Sequence, residues 1–240
     1  MREASGNEAR LGEAERRPDA RTGALEAARE RVASAARRLA ADGLVIGTAG
    51  NISERVGGLV AVTPTGAALE RVSADDVTVV DLDGARVGGE LEPTSELELH
   101  LGVYRRYGAG AVVHTHATMA TALACVLDEL PLVHYQMLLL GGPVRVAPYA
   151  TFGSSELADA TLDALEGRSA ALMANHGAIT YGPDLDAAVE QSRLLEWACT
   201  VYWHAASLGS PRALDAEQSM AVVDAAVSRR YGTTHRREDA

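Results

Sequence analysis

Lysine is missing altogether: all 22 basic residues of this 240-residue chain are arginine. That removes every mechanism built on a lysine Schiff base with a carbonyl substrate, pyridoxal phosphate chemistry included. It also removes a Walker-type phosphate loop, which needs its lysine. If such a chain stabilises a carbanion beside a carbonyl, a metal is the expected electron sink. Long hydrophobic runs are missing too. No stretch reaches the roughly 18 apolar residues of a spanning helix, so no membrane partner is expected. The N-terminus carries no apolar h-region, so no secretory signal is expected. A net charge of −11 leaves no excess of basic residues for a nucleic-acid partner. There are only two cysteines, Cys125 and Cys199, far apart in apolar helical stretches. Each is expected as a buried free thiol, in keeping with a cytoplasmic protein.

What is present is enough for one substantial core, and 47% hydrophobic content suits a single globular domain. Residues 1–22 are polar and of mixed charge and are expected as a disordered tail; a domain over 23–232 and a charged tail over 233–240 follow. Helical spacing runs from about Ala24 to Asp42, with Gly43 as its stop. Gly47-Thr48-Ala49-Gly50-Asn51 is a glycine-bearing turn into a short strand. Strands are expected at Leu59 to Val62, Val77 to Leu82, Ala85 to Val87, Val144 to Ala147, Ala170 to Ala174 and Ala178 to Tyr181. Helices are expected from Pro93 to Tyr107, Met119 to Leu127, Ser155 to Leu165, Leu185 to Leu208 and Glu217 to Tyr231. Interleaved helices and strands, some in strand-turn-strand pairs, predict an α/β fold: a mixed sheet covered by helices.

The chemistry gathers around Ala111-Val112-Val113-His114-Thr115-His116. In a strand, alternate side chains share a face, so His114 and His116 form a ready metal chelate. His176 ends another apolar run, and Glu96 follows Pro93-Thr94-Ser95. Three histidines and a carboxylate suit Zn²⁺, or another divalent metal, acting as a Lewis acid. His100, one turn after Glu96, is read as a supporting residue, because the ligand count is already met. His134 and His204 carry no signal beyond partial burial, and His235 falls in the tail. Gly50-Asn51, Thr65-Gly66 and Thr94-Ser95 offer hydroxyls, an amide, glycine N–H groups and a helix N-terminus. Those are the parts of a lysine-free phosphate site.

Gly47-Thr48-Ala49-Gly50-Asn51, Thr63-Pro64-Thr65-Gly66, Pro93-Thr94-Ser95-Glu96, His114-Thr115-His116, His134-Tyr135, Ala147-Pro148-Tyr149-Ala150-Thr151-Phe152-Gly153 and Asn175-His176-Gly177 occur in this order. From roughly residue 25 to residue 232 the chain resembles the class II aldolase/adducin family. The resemblance implies a single three-layer α/β/α domain with a central, mostly antiparallel mixed sheet. It implies a homotetramer with active sites between subunits and one zinc ion per subunit on His114, His116 and His176. Glu96 would bind the metal in the resting site and act as base when substrate displaces it. Gly50, Asn51, Thr65, Gly66, Thr94 and Ser95 match phosphate-binding positions. Tyr135 matches an acid supplied by the adjacent subunit, Phe152 an aromatic lining the aldehyde side, and Tyr231 a tyrosine of a mobile tail that closes over substrate. The activity implied is reversible cleavage of a ketose 1-phosphate, such as L-fuculose 1-phosphate, to dihydroxyacetone phosphate and an aldehyde. The alternatives are a pentulose-phosphate 4-epimerase or sugar-phosphate dehydratase on the same metal site, and a non-catalytic adducin-like scaffold. Epimerase-like members tend to carry aspartate where this chain has Glu96.

Overall fold

The computed structural model describes residues 20–232. The two tails expected at the chain ends, and His235 with them, lie outside the described residues except for 20–22, which open the first helix. In chain order the elements are α1 (Ala20–Ala41), β1 (Asn51–Val56), β2 (Leu59–Val62), β3 (Thr78–Asp81), β4 (Arg86–Gly88), α2 (Leu97–Tyr107), β5 (Ala111–Thr115), α3 (Thr118–Ala124) and β6 (Glu129–Leu130). A 3-10 turn over Tyr135–Leu140 follows, then β7 (Val144–Ala147), α4 (Ser155–Ala164), β8 (Ala170–Met173), β9 (Gly177–Gly182), α5 (Leu185–Leu208) and α6 (Ala216–Ser228). The strands form one open sheet in the order β4-β3-β2-β1-β5-β9-β8-β7-β6. Every pairing is antiparallel except β7 with β8. The expected α/β class and mixed sheet are therefore both present.

The period-2 alternation of the strands sorts their side chains into two cores. Ile52, Ala61, Ala111, Val113, Ala170 and Leu172 face α1, α3 and α5. Val60, Val62, Val112, Ala171, Met173 and Ile179 face α2 and α4. Central strands buried on both faces read as continuous apolar runs, as β5 and β8 do. In α5, Leu185, Ala188, Val189, Ser192, Leu195, Ala198 and Cys199 are buried, a three-and-four spacing that lays one stripe on the sheet.

Four expectations need correction. The second helix begins at Leu97 rather than Pro93. Pro64 and Pro93 form a bridge, and the Thr94 N–H donates to the Thr63 carbonyl at 3.1 Å, so this segment is extended. Cys199 is buried, but Cys125 is exposed, one residue past the short α3, which ends at Ala124 rather than near Leu127. The last helix stops at Ser228, which leaves Tyr231 beyond it, and none of its side chains is buried within the single chain.

Candidate metal centre and its cleft

Register decides what meets at the sheet's end. Asn51, the first residue of β1, lies opposite His114 of β5. His116 stands one residue past β5, on the same side as His114, and their Nε2 atoms are 2.9 Å apart. His176 lies in the turn between β8 and β9, and its ring sits 4.9 Å from that of His114 and 5.0 Å from that of His116. One nitrogen from each of the three rings lies within 4.8 Å of the others. Two glycines permit this approach. A Cβ on Gly177 would lie 2.3 Å from the Thr115 carbonyl oxygen and 3.3 Å from both the His114 and His116 rings. A Cβ on Gly50, at φ +93°, would lie 2.9 Å from the His114 carbonyl oxygen.

Glu96 enters from α2, where it occupies the N-cap position without capping the helix by its side chain. Its Oε2 lies 3.2 Å from His114 Nε2 and accepts from Asn51 Nδ2 at 2.8 Å. Its Oε1 faces His176 Nε2 at 3.5 Å and is buried, with no hydrogen-bond partner among the described residues. His114 Nδ1 donates to the Ala178 carbonyl at 2.9 Å, which leaves Nε2 as the ligand atom. The donor set fits a divalent metal: three imidazole nitrogens converge, one tautomer is fixed from behind, and an orphaned carboxylate oxygen adjoins them.

Electrostatics agree with that geometry. Burial by itself raises the Glu96 carboxyl, but His114, Asn51 and His176 outweigh it and hold it well below the usual range. Burial lowers His114, and the facing Glu96 carboxylate reverses this to a net rise. Burial brings His116 down to about 4, helped by His114 and His176. His176 is lowered by burial and then by His114. Two of the three imidazoles are thus neutral, and ready as ligands, at neutral pH. His100, wholly buried, is pushed down to about 3, first by that burial and then by His114.

Beside the cluster opens a cleft of about 410 Å³. Gly50, Asn51, Thr65, Gly66, Thr94, Ser95, Glu96, Phe152 and His176 all line it, so most of the expected site residues converge. Among the described residues, its walls include no arginine. The loops carrying Thr65 and Thr94 are tied together: Thr65 N–H donates to the Glu92 carbonyl and Thr94 N–H to that of Thr63. Tyr135 and Tyr231 are not in this cleft. Their hydroxyls meet each other at 3.2 Å beside a separate apolar groove formed by the 3-10 turn and α6. That contact raises the Tyr135 phenol.

Sequence reasoning missed Ser53 and Tyr104, which stand behind the site. Ser53 Oγ lies 2.6 Å from both His100 Nδ1 and the Tyr104 hydroxyl. The signal was a serine in a strand and a tyrosine at helical spacing, both of which pass for ordinary core. Asn175, named above only within the Asn175-His176-Gly177 motif and given no role, lines the cleft at φ 54°. Glu196 of α5 went unnoticed as well; it accepts the Met119 and Ala120 N–H groups at 2.9 and 2.8 Å and so holds the start of α3.

The family model described as the class II aldolase and adducin N-terminal domain matches residues 30–203. A 5-deoxy-D-ribulose 1-phosphate aldolase of Bacillus thuringiensis serovar kurstaki is 38% identical over 81% of this chain and 92% of its own length. A 5-methylthioribulose-1-phosphate/5-deoxyribulose-1-phosphate aldolase of Rhodospirillum rubrum is 37% identical over 84% of this chain and 92% of its own. Among solved structures, an L-fuculose 1-phosphate aldolase superposes with a TM-score of 0.80 at 34% identity, covering 83% of this chain and 95% of that one.

Proposed function

This chain belongs to the class II aldolase and adducin family, and from that premise we propose that it cleaves a ketose 1-phosphate reversibly to dihydroxyacetone phosphate and an aldehyde. The observation that carries this reading is the convergence of His114, His116 and His176 within 4.8 Å, with the Glu96 carboxylate against them. A non-catalytic scaffold has no use for such a set. Zinc is the proposed metal, one per subunit, on the three histidines and, in the resting site, Glu96. When bound, it would polarise the substrate ketone and spread the charge left by a departing proton.

The remaining work falls to the chain's own residues. Gly50, Asn51, Thr65, Gly66, Thr94 and Ser95 would hold the phosphate end through hydroxyls, an amide and backbone N–H groups. This fixes the carbon that loses its proton against Glu96. Oε2 is already engaged, so Oε1 is the atom that receives the proton in the condensation direction. Tyr135 of a neighbouring subunit would protonate the aldehyde oxygen as the carbon–carbon bond forms. Phe152 would line the aldehyde side, and Tyr231 would close over it. Tyr135 stands outside the cleft of its own chain, which supports shared sites between subunits, and the proposed assembly is a homotetramer.

The test is metal analysis followed by product detection with 5-deoxyribulose 1-phosphate and L-fuculose 1-phosphate. The wild-type protein is expected to hold one zinc per chain and to release dihydroxyacetone phosphate from at least one of the two. His116→Ala is expected to stay folded and lose most of the metal. Epimerised product without cleavage would transfer the site to the 4-epimerase reading.

A further inference from the structure

Behind Glu96 runs a line of polar side chains buried between two layers that are otherwise apolar. Asn51 and Ser53 share one face of β1 at a spacing of two. Glu96, His100 and Tyr104 share one face of α2 at a spacing of four. Two strand residues advance about 6.6 Å and four helical residues about 6 Å, so the rows keep step. They interlock as a zigzag: Glu96 Oε2 to Asn51 Nδ2 at 2.8 Å, Asn51 Oδ1 to His100 Nε2 at 2.5 Å, His100 Nδ1 to Ser53 Oγ at 2.6 Å, and Ser53 Oγ to Tyr104 hydroxyl at 2.6 Å. His100 and Ser53 have no exposed surface, and Tyr104 has 1%. Only Glu96 and Asn51 line the cleft.

We propose that His100 is a positioning residue, which fixes the Asn51 amide so that its N–H side faces Glu96 and holds that carboxylate in its working orientation. The polarity of the zigzag follows from its carboxylate end. An ionised carboxylate only accepts, so Asn51 gives it Nδ2 and turns Oδ1 to His100. A carbonyl oxygen only accepts, so the ring proton sits on Nε2. The ring is wholly buried, which disfavours a second proton, so Nδ1 is bare and accepts the Ser53 hydroxyl. Ser53 in turn accepts from Tyr104. Read the other way, the His100 tautomer forbids the flipped amide, which would set Asn51 Oδ1 against the carboxylate. The fully satisfied zigzag costs little. One broken link leaves buried polar atoms unpaired, which is enough to turn the amide.

This inference rests on the aldolase reading for its rate assay but not for its spectroscopy. Long-range ¹H–¹⁵N spectra of the metal-free protein are expected to show His100 protonated at Nε2 alone, with the signals assigned by their loss in His100→Gln. An Nδ1-protonated ring would overturn the proposal. The rate is the exchange of a C3 proton of dihydroxyacetone phosphate with deuterated solvent in the zinc-loaded protein. His100→Phe is expected to lower the saturating rate by roughly tenfold or more while changing the concentration for half-saturation less than about threefold. His100→Gln, which offers an N–H and a carbonyl in the same line, is expected to restore most of it. In an Asn51→Ala background, His100→Phe is expected to add nothing, because the two act as one unit. Additive losses, or a wild-type rate in His100→Phe, would mark His100 as packing only. If the phenylalanine variant does not fold, Ser53→Ala reads the same effect one link away, and an unchanged rate there would count against the proposal. Failure of the wild-type protein to exchange would defeat the aldolase reading, and the nitrogen spectrum would still decide the tautomer.

Discussion

Glu96 has two oxygens in unlike company, and the difference separates its two conceivable roles. As a mere partner of the α2 dipole it would contribute a few tenths to about 1 kcal/mol, and Glu96→Gln would leave activity near wild type. As a base acting through Oε1 it should matter far more, since general base catalysis supplies roughly 10²–10⁴-fold. The glutamine variant is expected to keep zinc on the three histidines and lose proton exchange by that factor. Retained exchange would remove Glu96 from the chemistry even if cleavage were confirmed. His100 gives a second residue-scale expectation, in stability rather than rate. Its folded value of about 3 lies below the ordinary 6.5, so the unfolded chain binds its proton first as pH falls. The contribution of neutral His100 is therefore whole above pH 6.5 and declines as pH drops from there toward 3. Urea unfolding of the metal-free protein should show wild-type stability falling across that window with a slope of about one proton more than in His100→Gln. Parallel pH profiles for the two proteins would contradict this.

At the level of elements, the approach of β9 to the end of β5 depends on Gly177 having no side chain. Gly177→Ala puts a carbon 2.3 Å from the Thr115 carbonyl oxygen, and the strands must part. The expected cost of such overpacking is about 1–3 kcal/mol, or a fall in melting temperature of roughly 3–10 °C. Zinc affinity should drop with it, because His114, His116 and His176 ride on these two strands and the turn that joins β9 to β8. A melting curve and a chelator competition check both. The same elements show what the sequence made legible. The alternation through Ala111 to His116 was enough to pair two histidines, and the spacing from Leu185 to Leu208 located α5 to the residue. Local patterns carry such information because side-chain direction follows backbone period. The start of α2 was misread because a proline looks the same in a helix's first turn and in an extended bridge. The bridge partner, Pro64, lies 29 positions back. Ser53 and Tyr104 were illegible for a related reason. Their function lies in the match of two different periods on two different elements, and neither period reveals the other.

For the whole molecule, the telling observation is a helix, α6, that among the described residues has no buried side chain. Val223 and Val227 stand exposed beside Leu139, Tyr135 and Tyr231, and Met220 is exposed as well. A neighbouring subunit is the proposed cover. Light scattering at micromolar concentration should return a mass about four times 25.2 kDa, and a mass of one chain would leave Tyr135 without a site to serve. A different whole-molecule consequence attends the pair of tied loops. Thr63 to Thr65 and Glu92 to Thr94 are hydrogen-bonded to each other before anything enters the cleft. A phosphate arriving there freezes little chain, so its binding should carry no large ordering penalty. Titration calorimetry with inorganic phosphate over a range of temperatures would then give a heat-capacity change too small for a loop folding onto its ligand. Tightness in such a pocket is set when the protein folds, and the ligand finds a mould already cast.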